Sequence, residues 1–147
     1  MRIRRAAAGD ADALTRLMHA SSAYRGAYAA ILAGYAVTPA QIARDEVYLC
    51  EDANRALLGF YSLTLAETPE LDLMFVADDV QGRGIGSQLF THLRATAAAL
   101  NIVDIVIVSH PPAAAFYERQ GAIRIGTKPP TPTASWERPI YRLPAMP

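Results

Sequence analysis

The 147-residue chain balances 14 lysines and arginines against 14 aspartates and glutamates, is 52% hydrophobic and holds one cysteine. That profile fits one domain over 1–147, large enough to bury a core, with no basic stripe for a nucleic-acid backbone. Lone Cys50 excludes an internal disulfide or cysteine-cluster metal site, no apolar run approaches the roughly 20 residues that cross a bilayer, and MRIRRAAAGD lacks a signal-peptide core. The expected setting is therefore cytoplasmic, with no metal, membrane or nucleic-acid partner.

In chain order, Arg2 to Ala6 reads as a first strand, and Asp10 precedes a helix whose Ala13, Leu14, Leu17 and Met18 share one face. A second helical piece is expected around Tyr24 to Leu32. Thr38-Pro39 with Gln41 reads as a capping box with proline at the first helical position, predicting a short helix over Pro39 to Arg44. Val47 to Cys50 and Leu57 to Leu65 predict a hairpin about the turn Asp52-Ala53-Asn54-Arg55. Leu71 to Val76 is the fourth strand, Gly84 to Leu100 a long helix and Ile102 to Val108 an almost continuously apolar fifth strand. Strand, helix and strand at this spacing imply a right-handed parallel crossover. Pro112 to Gln120 predicts a last helix ended by Gly121, and strands near Ala122 to Thr127 and Ser135 to Arg142 flank a proline-rich loop at Lys128 to Pro132. The fold class is α/β: a mixed sheet of about seven strands, antiparallel in its N-terminal part, with the parallel crossover at its centre and about four flanking helices.

Between the fourth strand and the long helix lies Gln81-Gly82-Arg83-Gly84-Ile85-Gly86. Glycines there let bare peptide N–H groups approach an anion, and a helix N-terminus adds partial positive charge at the same place. The acidic turn Asp78-Asp79 would repel phosphate, so the contact is expected after Gln81. A P-loop needs lysine followed by serine or threonine after its second glycine, and here Ser87 follows Gly86 with no lysine. A dinucleotide fingerprint needs glycine where Leu89 stands, and no later strand offers an acid for a ribose hydroxyl. The triphosphatase reading fails, the dinucleotide reading is weak, and three glycines at alternate positions are more than a tight turn requires.

A second segment, Ala115-Phe116-Tyr117-Glu118-Arg119-Gln120-Gly121-Ala122, completes a pattern. The cradle, an apolar parallel strand and a short helix carrying Phe-Tyr-Glu-x-x-Gly resemble the GNAT superfamily of acyl-CoA-dependent N-acetyltransferases. The resemblance covers Leu57 to Ile125, and Gln81 to Gly86 matches every fixed position of that family's pyrophosphate signature. It implies that backbone amides from Gln81 through Gly82, Arg83, Gly84, Ile85 and Gly86 to Ser87 hold the pyrophosphate of coenzyme A, with Arg83 adding charge. It further implies that Met74, Phe75 and Val76 pair with the pantetheine arm and that a strand-end N–H near Met74 stabilises the acyl oxyanion. Phe116 belongs to the cofactor-binding segment, and Tyr117 falls where the family places the general acid for the departing thiolate. The chain departs from the pattern at His110, where the family commonly has asparagine; an imidazole donor is expected to replace its pantetheine contact.

An amine must lose a proton before it attacks a thioester. Strand alternation predicts Glu70, Asp72, Met74 and Val76 on one face, with Leu71, Leu73 and Phe75 on the other. Glu70 also matches the position some family members use as general base, and crowding by Asp72 with partial burial would raise its pKa. The alternative is a solvated strand end that attracts a cationic amine. Tyr24, Arg25, Tyr28 and Tyr35 near the N-terminus and Trp136 near the C-terminus are expected to wall the acceptor pocket, as those regions do in the resembling family. Cys50 reads as core, and His19 and His92 as packing residues in helices.

The implied activity is transfer of the acetyl group of acetyl-CoA to a primary amine, small molecule or peptide, by direct attack in a ternary complex. A non-catalytic acyl-CoA sensor on the same fold is the alternative, and docking through the proline-rich loop a third. Strand edges leave a homodimer open.

Overall fold

The computed structural model describes residues 1–146. Its strands are β1 (Arg2–Arg5), β2 (Glu46–Glu51), β3 (Leu57–Thr64), β4 (Glu70–Val76), β5 (Asp104–Val108), β6 (Ile123–Lys128) and β7 (Arg138–Pro144). Its α-helices are α1 (Ala11–His19), α2 (Pro39–Arg44), α3 (Ile85–Ala99) and α4 (Ala114–Arg119). The seven strands form one sheet in the order β1-β2-β3-β4-β5-β7-β6, and β4–β5 is the parallel pairing. The mixed sheet and central crossover agree with the sequence reading. Among the described residues no helix is long and apolar enough to cross a membrane.

Two cores form because both sheet faces are covered. On one face α3 packs Leu89, Phe90 and Leu93 against Tyr61, Leu63, Leu71, Ile105, Ile107 and Tyr141. On the other, α1 and α2 pack Leu14, Met18 and Ile42 against Val47, Leu49, Phe60, Leu73 and Phe75. Burying each such aliphatic or aromatic side chain is worth about 1.5–3 kcal/mol, so the sheet is clamped from both sides. Cys50 is buried in the α3-side core.

Local signals are read faithfully where they are short-range. The Thr38 side chain accepts from the Gln41 N–H at 3.1 Å. The Gln41 amide does not return the contact and instead donates to the Tyr35 hydroxyl at 3.0 Å, so half of the capping box forms. Asp10 does not cap α1 among the described residues; its carboxylate accepts from the Ala7 N–H at 2.7 Å and takes a two-pronged contact from Arg4 at 2.9 and 3.0 Å. The piece expected as helix around Tyr24 to Leu32 is wound as two 3₁₀ turns, Ser22–Tyr24 and Gly26–Leu32, separated where Gly26 takes φ +65°. That tighter winding presents Tyr24 and Tyr28 toward the C-terminal end of β5, where both meet His110.

Candidate active site

The parallel pairing of β4 with β5 is confined to Glu70 opposite Val106, anchored by the Val106 N–H donating to the Pro69 carbonyl at 2.9 Å. Beyond that point the strands part, and a cleft of about 520 Å³ opens between them. Ala77 donates its N–H to Leu58 of β3 at 2.8 Å, and backbone alternation turns the Phe75 N–H the same way. The N–H groups of Met74 and Val76 therefore face the side where β5 has withdrawn. Met74, Phe75 and Val76 all line the cleft.

At its far end the cleft meets the turn into α3. Gly82 and Gly84 sit at φ +81° and +78°, a left-handed conformation that side-chain-bearing residues resist by about 1–2 kcal/mol. The first helical bond is Gln88 N–H to the Gly84 carbonyl at 3.0 Å, and no side chain caps the helix. As a result the N–H groups of Gly82 through Ser87 donate to no acceptor among the described residues. Gln81, Gly82, Gly84, Ile85, Gly86 and Ser87 line the cleft, whereas the Arg83 side chain is exposed and outside it. Asp78, expected to repel an anion, has its carboxylate engaged by the Ser22 N–H and hydroxyl at 3.1 Å. A Cβ on Gly86 would stand 3.3 Å from the Phe116 ring, so a small residue there seats α3 against α4.

Phe116 and Tyr117 line the opposite wall. Tyr117 is buried, burial pushes its phenol well above the ordinary tyrosine range, and its hydroxyl makes no hydrogen bond among the described residues. It thus stays protonated near neutral pH and free to donate into the cleft. His110 also lines the cleft, but its chemistry is the reverse of the expected donor. Its Nε2 donates to the Ala23 carbonyl at 2.5 Å, which leaves Nδ1 as an acceptor, buried and without a partner among the described residues. Burial holds the imidazole below the ordinary histidine pKa, and a stack on Tyr24 (ring centroids 3.8 Å, 11° between planes) fixes its plane.

The expected strand alternation is corrected at Asp72. The β3–β4 register shifts between Ser62 and Leu63, so Ser62 pairs with Leu73 and Leu63 with Leu71, leaving Asp72 as a bulge. The extra residue reverses the faces on either side of it. Leu71 joins the α3-side core while Leu73 and Phe75 join the other, and Glu70 stands on the face opposite Met74 and Val76. Asp72 lines the cleft and accepts from the Tyr35 hydroxyl at 3.5 Å; Glu70 does not line it. Burial first, then Asp72, raises the Glu70 carboxyl, while Lys128 and Arg138 draw it down. Burial first, then Asp45, raises Asp72.

Tyr24 lines the cleft, with burial pushing its phenol up to about 12. Tyr28 and Trp136 lie outside the cleft proper but form an edge-on chain to it: Trp136 on Tyr28 at 4.8 Å, Tyr28 on His110 at 4.5 Å. Arg25 reaches Asp78 at 4.0 Å, and His19 donates to the Tyr35 carbonyl at 2.7 Å. The sequence reading passed over Arg138, whose charge acts on Glu70, Tyr24 and His110 together. Its only sequence signal is a cation two residues after Trp136, which marks nothing without the fold.

A family model described as an acetyltransferase (GNAT) domain matches residues 43–121. The fold is shared with a GCN5-related N-acetyltransferase from Rhodopseudomonas palustris at TM-score 0.77 and 17% identity, covering 97% of this chain and 94% of that one. It is likewise similar to the ribosomal-protein-S18-alanine N-acetyltransferase of Escherichia coli, with TM-score 0.73, 17% identity and coverages of 98% and 93%. The PaiA N-acetyltransferase of Thermoplasma acidophilum, solved in complex with coenzyme A, gives TM-score 0.73, 16% identity and coverages of 97% and 98%. A comparison with curated proteins returned no significant match. Identities this low establish the common fold, whereas the family model spans more than half of the sequence: the chain belongs to the GNAT acetyltransferase family.

Proposed function

We propose that the chain is a single-domain N-acetyltransferase that moves the acetyl group of acetyl-CoA to a primary amine by direct attack in a ternary complex. The observation that carries this reading is the row of unengaged N–H groups from Gly82 to Ser87 at the end of a cleft opened by the parting of β4 and β5. Six peptide donors with no acceptor match a pyrophosphate, and a strand edge without its neighbour matches an amide-bearing arm. Acetyl-CoA supplies an activated thioester carbonyl. The N–H groups of Met74 and Val76 would stabilise negative charge developing on its oxygen.

Tyr117, held protonated by burial, donates to the departing sulfur. Glu70 takes the amine proton through water, since it stands on the acceptor face outside the cleft. Tyr24, Tyr28, Asp72 and Trp136 wall the acceptor side. His110 contributes an acceptor lone pair, in place of the amide donor of the family pattern. A non-catalytic acyl-CoA module would keep the cradle without needing the Tyr117 hydroxyl. Thiol release from acetyl-CoA across a broad amine panel, run beside calorimetric coenzyme A binding, tests the proposal. Turnover lowered about 100-fold in Tyr117→Phe with coenzyme A binding kept supports it; binding without turnover on any amine overturns it in favour of the module.

A further inference from the structure

Four buried side-chain polar atoms have no partner among the described residues, and three of them, His110 Nδ1, Trp136 Nε1 and Arg138 Nε, gather on the acceptor side. The fourth, Ser62 Oγ, lies on β3. The three are linked. Trp136 packs edge-on against Tyr28 and Tyr28 against His110. The Ser109 N–H donates to the Pro139 carbonyl at 2.8 Å, so Arg138 and His110 flank a backbone hydrogen bond at the C-terminal end of β5. Sheet register places Arg138 on the face of Glu70. Glu70 pairs with Val106, Val106 with Arg142, Val108 with Ile140, and Arg138 precedes Ile140 by two residues, on the same face.

Unpartnered buried polar atoms are costly, and a site retains them where a ligand completes them. Their chemistry is divided. Trp136 Nε1 and Arg138 Nε can only donate, and Arg138 acts on Glu70 through its charge without a hydrogen bond among the described residues. His110 Nδ1, with Nε2 committed to Ala23, can only accept. We infer that the acceptor amine carries a carboxylate, bound by the Trp136 indole and Arg138 guanidinium, while its amino group donates to His110 Nδ1. Lys128, paired with Arg138 across β6 and β7, adds a second cation to that face. A polyamine would leave the two donors unmet and would meet a Glu70 carboxylate already drawn on by Lys128 and Arg138.

This inference rests on the acetyltransferase reading. The test is thiol release with a set of α-, β- and γ-amino acids, each compared with its own primary amide, and with polyamines. Each acid is expected to exceed its amide in kcat/KM by about tenfold or more, the range a charged hydrogen bond supports. Arg138→Gln is expected to collapse that ratio toward one through KM, Arg138→Lys to recover part of it, and acetyl-CoA binding by calorimetry verifies that each variant is folded. Amides or polyamines used as well as acids, or a ratio that survives in Arg138→Gln, overturn the inference alone. Silence with every amine despite acetyl-CoA binding overturns the acetyltransferase reading and the inference with it.

Discussion

The turn from Gln81 to Ser87 gathers seven consecutive residues, whereas the proposed acceptor side gathers Tyr24, Tyr28, Glu70, His110, Trp136 and Arg138 from distant parts of the chain. The turn works through backbone, with Gly82 and Gly84 in the left-handed region and a row of free N–H groups. The acceptor side works through side chains whose donor and acceptor roles are assigned by neighbours far away in sequence, as when Ala23 fixes the His110 tautomer. A site of the first kind tolerates drift elsewhere in the protein. One of the second kind changes specificity when any contributing loop moves, which suits a family whose fold serves many acceptors.

Substitutions can break this contrast, beginning where the two halves meet. Tyr117→Phe removes the proposed proton donor and is expected to lower kcat about 100-fold while coenzyme A binding by calorimetry persists. A loss confined to KM would place Tyr117 in binding alone. Glu70→Gln comes next, with kcat/KM expected to fall on the order of 100-fold on the plateau. Because burial and Asp72 raise the Glu70 pKa, the carboxylate is the ionised base only above that raised value. Wild-type kcat/KM should therefore climb with pH through it, and the variant should lack that limb; an identical profile removes Glu70 as base.

Gly84→Val tests the donor half by itself. The φ of +78° costs a branched side chain about 1–2 kcal/mol, so coenzyme A affinity is expected to drop on the order of tenfold in calorimetry. Unchanged affinity would detach the cradle from this backbone conformation. The smallest effect concerns His110, whose folded-state pKa lies below the ordinary 6.5 through burial. Its contribution to stability is complete above that ordinary value and is lost as pH falls through the lowered one. Thermal unfolding of the wild type should thus weaken more steeply on acidification below about pH 6.5 than that of His110→Asn; parallel curves would mean the imidazole is not protonated on unfolding.

Much of the donor half was legible because it depends on near neighbours. Glycine spacing, the strand before it and the amphipathic helix after it all act within a few residues, so the crossover and the cradle could be read from the sequence, and the Thr38 cap likewise. The face of Glu70 could not, because alternation is preserved only until a strand takes an extra residue. Whether Asp72 bulges depends on how β3 registers against β4. Nor could the 3₁₀ winding of Gly26–Leu32, whose tyrosines are placed by their contacts with His110 and Trp136 rather than by helical propensity.

By itself, then, the sequence determined the strands, the α-helices and where bare peptide nitrogens are exposed, since these follow from backbone conformations chosen by adjacent residues, but not the 3₁₀ winding near Tyr24 to Leu32. Tertiary structure alone decided which way Glu70 faces and that, among the described residues, His110 Nδ1 and Arg138 Nε are left unpartnered. Each of these depends on an atom supplied from another part of the chain, and only packing brings the two together.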